Sequence, residues 1–418
     1  MIDYDTLQLY VMKIAGSNVM QILVTLKEEV DPDVLKSAVN TAMGRYSYLN
    51  VRVFKEDETY VLKPNPLPVA VLPLKDPEPA LGTAETNYNL IDVEWQGRDI
   101  YFNYSHSFGV ATDILKWTFS ILCAYVDERY GIKIDRGDIR SPYEKPTPEE
   151  GRVEKFPDIP AYEKPLDKGV DFDGVISFTE FMEKTNSAVA GPIYYSKIDT
   201  DAAAIISKAK AFGAKPSVYM ASIFYRAIVA TYPELEGKLD IGMATDCRGL
   251  FGIGNKATIA TRWLHMISEI GQVDAEDWCH GQMDSINKQL EPTRSLDEFA
   301  RSMSIISSME KQATLEEKAI YYTRNCIGVN ESPSALISYF RAGNLGELSS
   351  YIDDVAALPS MNRGMMIHAY EDKIMFSFMQ PCQQDKLLEP FLSVLEEDGI
   401  SYTVKRDRTL RIPQIELP

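Results

Sequence analysis

On both sides of a Pro- and charge-rich stretch, this chain mixes short β-branched runs with helical stretches and tight hairpins. The stretch runs from 132 to about 175 of 418 residues, and includes Arg140-Ser-Pro-Tyr-Glu-Lys-Pro-Thr-Pro and Lys164-Pro-Leu-Asp-Lys-Gly. A structureless segment of that length is uncommon inside one compact unit, and the chain is too long for one ordinary core. The sequence therefore predicts two parts, 1–175 and 176–418. Strands and helices are mixed within each part and do not form a regular βαβ array, which predicts the α+β class.

In the first part, residues 7–12 read as a short strand and Val19–Leu26 as a longer one. Asp31-Pro32 opens a helix, with Val34, Leu35, Val39, Ala42 and Met43 following at helical spacing. Residues 49–54 and 60–62 read as one hairpin, and 91–95 and 99–104 as another across Gln96-Gly97-Arg98. The last strand runs straight into Ser105-His106, and a new helix begins between Ala111 and Asp113. In the second part, strands are predicted at 193–198, 239–244, 335–340, Gly364–Tyr370, 373–378 and 402–404. Helices are predicted at 201–212, 217–232, 274–289, 296–310 and 385–398.

Composition excludes several functions. A net charge of −18 and a pI near 4.8 argue against nucleic acid and against an anionic membrane surface, since both need clustered Lys and Arg. The five Cys (Cys123, Cys247, Cys279, Cys326 and Cys382) are widely spaced with no CxxC, so no zinc site is predicted and free thiols in a reducing compartment are expected. The first residues lack a basic start followed by an apolar core, and no apolar run is long enough to span a bilayer. The expected location is the cytoplasm. No GxSxG elbow and no phosphate-binding GK[ST] loop occurs.

There are only four His: His106, His265, His280 and His368. His106 alone lies between a strand end and a helix start, where element ends build sites. A neutral imidazole there can take a proton from a hydroxyl or amine, its ordinary pKa being about 6.5. His265 reads as a core or edge residue, His280 as exposed, and His368 as part of a strand hairpin. None makes an HxH, HxxxH or HExxH pattern, so no metal is predicted.

The segment Asn103-Tyr-Ser-His-Ser-Phe-Gly-Val-Ala-Thr-Asp-Ile-Leu-Lys-Trp117 resembles the HHxxxDG region of the chloramphenicol acetyltransferase-like, condensation-domain superfamily. It is most similar to the bacterial alcohol-acetyltransferase-like, acyl-CoA-dependent branch. Ser105 stands at the first His position and His106 at the second, which is the family's base. Val110 and Ala111 stand where the family has Asp and Gly, and Asp113, three residues further on, is a candidate to substitute for the lost charge. The stretch from Val30 to Val53, the helix after Lys215, and Asp246-Cys-Arg-Gly-Leu-Phe also resemble family segments, so the likeness spans most of the chain. Arg248 is the candidate for the family's interlobe Arg, here without the usual Asp partner. Asp246 and Arg248 also read as a local turn ion pair. Asn344, in Tyr339-Phe-Arg-Ala-Gly-Asn-Leu-Gly, stands at the family's second signature, either donating toward a tunnel or shaping a turn.

The resemblance implies two similar lobes set in a V around a tunnel. It implies an acyltransferase that moves an acyl group from acyl-CoA or an acyl-carrier protein to a small-molecule hydroxyl or amine, with no tightly bound cofactor and acyl-CoA as co-substrate. The alternative is a degenerate relative that only binds a ligand or partner in the tunnel. A condensation domain of a peptide synthetase is a further reading, against which stands the absence of the DFGWG-type motif. A monomer is expected, because the chain could supply both walls of its own tunnel.

Overall fold

The structure is a computed structural model, and it describes residues 4–15, 19–153, 169–185, 193–326, 332–358, 364–381, 386–409 and 414–418. Two large sheets organise it, in a mixed α+β arrangement. The five-stranded sheet runs in the order Ile352–Leu358, Val19–Leu26, Asp99–Ser105, Ile91–Gln96, Ala70–Pro73. Its pairings are antiparallel except the last. The seven-stranded sheet runs Thr261–Glu269, Lys238–Asp246, Ala335–Arg341, Gly364–Tyr370, Lys373–Pro381, Ile193–Asp201, Tyr402–Thr409.

Each sheet has one face under helices. Strand alternation sends Ile22, Val93 and Phe102 to the same side, beneath Pro32–Met43 and Ala111–Tyr130. The Phe102 and Trp117 rings meet edge to face with centroids 5.6 Å apart. Helix Pro32–Met43 begins as its sequence predicts: Asp31 caps it by accepting from the N–H groups of Asp33 and Val34, and Pro32 fills the first turn. The second core holds Ile198, Ile241, Ile367 and Phe376 under Pro216–Thr231 and Leu388–Glu397.

The helix-free faces turn toward each other. Leu23 and Tyr101 of the first sheet cluster with Tyr195 and Met379 of the second, together with Ala356 and Leu358. The chain also crosses over. Strand Ile352–Leu358 follows Ala335–Arg341 of the larger sheet yet pairs with Val19–Leu26 of the smaller one, and then the chain returns to Gly364–Tyr370.

Several expectations change. Residues 7–12 are not a strand but lie in helix Leu7–Ala15. Its residues Leu7, Leu9, Tyr10, Val11 and Met12 are buried, and it packs on helix Leu315–Cys326. An apolar run this short has no clear period, so its neighbours decide its form. Strand Ile352–Leu358 and the helices Phe178–Lys184 and Leu315–Cys326 were not anticipated. In Ile352-Asp-Asp-Val-Ala-Ala-Leu, the acidic pair and two Ala weaken the strand signal, and a vacant sheet edge supplies what propensity lacks.

Candidate active site

The strand Asp99–Ser105 ends in a single 3-10 turn, His106–Phe108, and the chain then enters helix Ala111–Tyr130. Ser105 is buried and caps the turn: its Oγ accepts from the Ser107 N–H at 3.3 Å and shares a 2.8 Å hydrogen bond with Ser107 Oγ. Phe108, fully buried, pins the turn to the core. Gly109 leaves it at φ 121°. A Cβ at Gly109 would lie 2.6 Å from Asp113 Oδ2 and 3.0 Å from the Thr258 nitrogen, so glycine is needed for both space and backbone angle.

His106 is half-buried. Its Nδ1 lies 3.1 Å from the Gly109 carbonyl oxygen, which can only accept, so Nδ1 carries the proton and Nε2 keeps its lone pair. Among the described residues Nε2 has no protein partner. Burial lowers the pKa of His106 below the ordinary value, outweighing the backbone acceptors beside it. The imidazole is therefore neutral at pH 7 and holds the tautomer a general base requires.

Val110 and Ala111 are half-buried and supply only the helix entry. The acid expected at position 110 is present one turn further on. Asp113 accepts from the Val110 N–H at 3.4 Å and receives Arg248 Nη1 at 2.5 Å, from 135 residues away. Both side chains are almost wholly buried. Arg248 has no Asp at position 110 to meet, and its partner is Asp113, the residue that could substitute for that charge. Arg248 also grips Asp246 through Nε at 3.0 Å and Nη2 at 2.7 Å, and donates to the Lys256 carbonyl at 2.9 Å. Burial raises the Asp113 carboxyl, against the pull of Arg248 and Lys116, while the always-charged guanidinium keeps the contact an ion pair. For Asp246, burial is outweighed by the hydrogen bonds from Arg248, and its carboxyl sits below the usual range. One guanidinium thus makes the local turn pair with Asp246 and also reaches Asp113 on helix Ala111–Tyr130.

Asn344 stands apart from this group. It is exposed, its N–H donates to Asp138 Oδ2 at 3.0 Å, and its own Oδ1 accepts from the Gly346 N–H at 2.9 Å. These bonds make a turn against residues 135–138.

The other His are elsewhere. His265 is buried with Nδ1 2.7 Å from Asp240 Oδ2, and His280 is exposed. His368 is buried between aromatic rings, with Phe340 stacked at 4.7 Å, and burial together with the Lys197 charge pushes its pKa down to about 3. Cys123, Cys247 and Cys279 are buried free thiols; burial pushes Cys123 up to about 12 and the other two up to about 11, which suppresses the reactive thiolate. Cys382 lies outside the described residues. Among the described residues, no group of three or more His, Cys, Asp and Glu could hold a metal ion, and no helix is long and apolar enough to cross a membrane.

No family model and no curated protein matches the sequence. Solved structures do match in shape. TRI101 of F. graminearum, solved with coenzyme A and T-2 mycotoxin, is 13% identical with a TM-score of 0.58, covering 96% of this chain and 98% of that one. Polyketide synthase associated protein 5 from Mycobacterium tuberculosis is 12% identical with a TM-score of 0.56, covering 92% of this chain and 96% of that one. The nonribosomal peptide synthetase FmoA3 is 12% identical with a TM-score of 0.56, over 95% of this chain and 43% of its own. The chain therefore has the fold that these three structures share.

Proposed function

We propose that this chain is an acyltransferase that moves an acyl group from a thioester to a hydroxyl or amine acceptor, with His106 as general base. The observation that carries the reading is the His106 turn. Its Nδ1 proton is committed to the Gly109 carbonyl, and burial keeps the ring neutral. In this scheme the parts 1–175 and 176–418 are two lobes of a V, and donor and acceptor meet at His106 in a tunnel between them. Nε2 takes the acceptor proton as its oxygen or nitrogen attacks the thioester carbonyl. The tetrahedral intermediate then expels the thiol, which leaves with the proton held by the imidazolium. Holding both substrates at one imidazole supplies much of the rate.

A thioester donor is supported by the TRI101 structure, which holds coenzyme A beside T-2 mycotoxin. Acyl-CoA is therefore the first donor to test, with an acyl-carrier protein second, since FmoA3 is a peptide synthetase. The chain would work as a cytoplasmic monomer. A non-catalytic binding relative is the second reading, favoured by Val110 and Ala111 in place of Asp and Gly. The Asp113–Arg248 pair weakens that argument, because it supplies the missing charge from the same helix.

The test is thiol release from acetyl-CoA and longer acyl-CoAs with a panel of alcohols and amines, comparing wild type with His106→Ala. Acceptor-dependent release that vanishes in the variant supports the enzyme. A folded protein that releases no thiol from any donor, carrier-bound thioesters included, supports the binding relative.

A further inference from the structure

Asp92 and Glu94 alternate on the helix-free face of the five-stranded sheet, with Asn103 opposite Asp92 and Gln21 opposite Asn103. The four side chains form a row. Gln21 Nε2 donates to Asn103 Oδ1 at 2.7 Å, and Asn103 Nδ2 donates to Asp92 Oδ1 at 2.8 Å and to Glu94 Oε2 at 3.1 Å. Asp92 and Glu94 are both 0% exposed, yet Asp92 Oδ2 and Glu94 Oε1 have no hydrogen-bond partner. Glu78, on the preceding loop, lies within electrostatic reach of both, and each of its two carboxyl oxygens is buried without a partner. Buried acceptors in folded proteins are normally satisfied, so oxygens left open together in this way indicate an absent donor.

The local charge is one-sided. Among the described residues, the cation acting on this trio is Lys75, which is half-exposed and shared with Glu85 at 3.8 Å; Asp76 adds more negative charge. Burial pushes Glu94 up to about 7 against the Asn103 hydrogen bond and Lys75, while burial and neighbouring carboxyls push Glu78 up to about 9 and Asp92 well above its ordinary value. Spacing does not suit a metal ion, as noted for the described residues as a whole. An ammonium group is larger, and carries several N–H donors to match the open oxygens.

Placement links the trio to the candidate active site. Asn103 and Ser105 point to the same face of the strand that delivers His106, and three residues of extended chain span roughly 10 Å. We propose that Asp92 and Glu94, which lie opposite Asn103 and Tyr101, with Glu78 beside them, bind an ammonium group of the acyl acceptor while its nucleophile, roughly 10 to 17 Å further along the strand, reaches His106. This rests on the acyl-transfer reading and narrows its acceptor to an organic cation, namely a diamine, polyamine or amino alcohol. The chain's charge of −18 draws such cations in at long range. A bound cation favours the ionised carboxyls, so binding releases protons to solvent.

Calorimetry separates this from the acyl-transfer reading, because it needs no turnover. The probes are spermidine and octanediamine, with octanediol as the neutral match. The expected result is saturable binding of both amines, little of the diol, and heats that change with the buffer's ionisation enthalpy. Asp92→Asn and Glu94→Gln should each weaken amine binding about 30-fold or more, without lowering the melting temperature, since each keeps the side chain's size and its place beside Asn103 while removing the carboxyl that must ionise to hold a cation. The proposal is overturned if the diol binds as well as the diamine, if KCl or MgCl2 competes as strongly as spermidine, or if Glu94→Gln binds normally. Should Asp92→Asn fail to fold, Glu78→Gln on the loop serves in its place, and unchanged amine binding in it likewise overturns the proposal.

Discussion

His106 is held as a neutral base by one turn of chain. The Gly109 carbonyl fixes its tautomer, and burial lowers its pKa. The acid limb of kcat/KM should therefore fall with an apparent pKa below the ordinary 6.5, leaving activity flat through pH 7. A pH–rate profile checks this, and an acid limb centred above 6.5 would contradict the burial argument. His368 gives a separate prediction about stability. Its folded-state pKa is about 3, so between 6.5 and 3 the unfolded chain binds the proton first. Its contribution is complete above pH 6.5 and is lost as pH falls toward 3, by up to about 1.4 kcal/mol per pH unit. His368→Phe keeps the stack with Phe340 and should flatten this loss relative to wild type in urea titrations run at several pH values. An unchanged slope would remove His368 from the account.

At the scale of elements, the His106 turn is joined to the second sheet by Arg248. The guanidinium comes from the turn after strand Lys238–Asp246, and it meets the first turn of helix Ala111–Tyr130. Breaking a buried ion pair strands a charge, whereas breaking a half-exposed one leaves water to replace it. Asp113 has 3% side-chain exposure and Asp246 has 49%. Asp113→Asn should therefore destabilise the protein by about 3 kcal/mol in urea denaturation, and Asp246→Asn by about 1 kcal/mol or less. Equal losses would mean that the contact between helix and turn is not what fixes the His106 connection. Asp113→Asn should also reduce acyl transfer at temperatures where it remains folded, because the same carboxylate accepts from Val110 next to the turn.

At the scale of the molecule, the strand crossover determines cooperativity. Strand Ile352–Leu358 closes the edge of the five-stranded sheet beside the fully buried Val19–Leu26. Leu315, Ala319, Leu348 and Val355 belong to the first core although they lie far along the chain. A fragment of residues 1–175 should therefore fail to reach the native state, exposing a sheet edge and an open core. Amide hydrogen exchange on the fragment checks this. Native-like protection of residues 19–26 without the crossover strand would show the first part to be self-sufficient.

Most local elements were legible in the sequence because their signals are short-range. Asp31-Pro32 caps a helix, Gly97 turns a hairpin, and the strand before Ser105 alternates strictly enough to place His106 at its end. What no local signal carried were contacts between distant residues. Residues 7–12 became helical because helix Leu315–Cys326 offered a partner, and residues 352–358 became a strand because an edge needed one. Arg248 found its acid at Asp113 because the helical turn brings position 113 under the Gly109 bend. The burial of the Asp92 and Glu94 carboxyls, with Glu78 in electrostatic reach, is likewise a product of the fold, which no local pattern announces. Propensity and spacing act over a few residues and are written in order along the chain. Burial, charge pairing and sheet edges are decided only when both surfaces meet, and that depends on the tertiary structure.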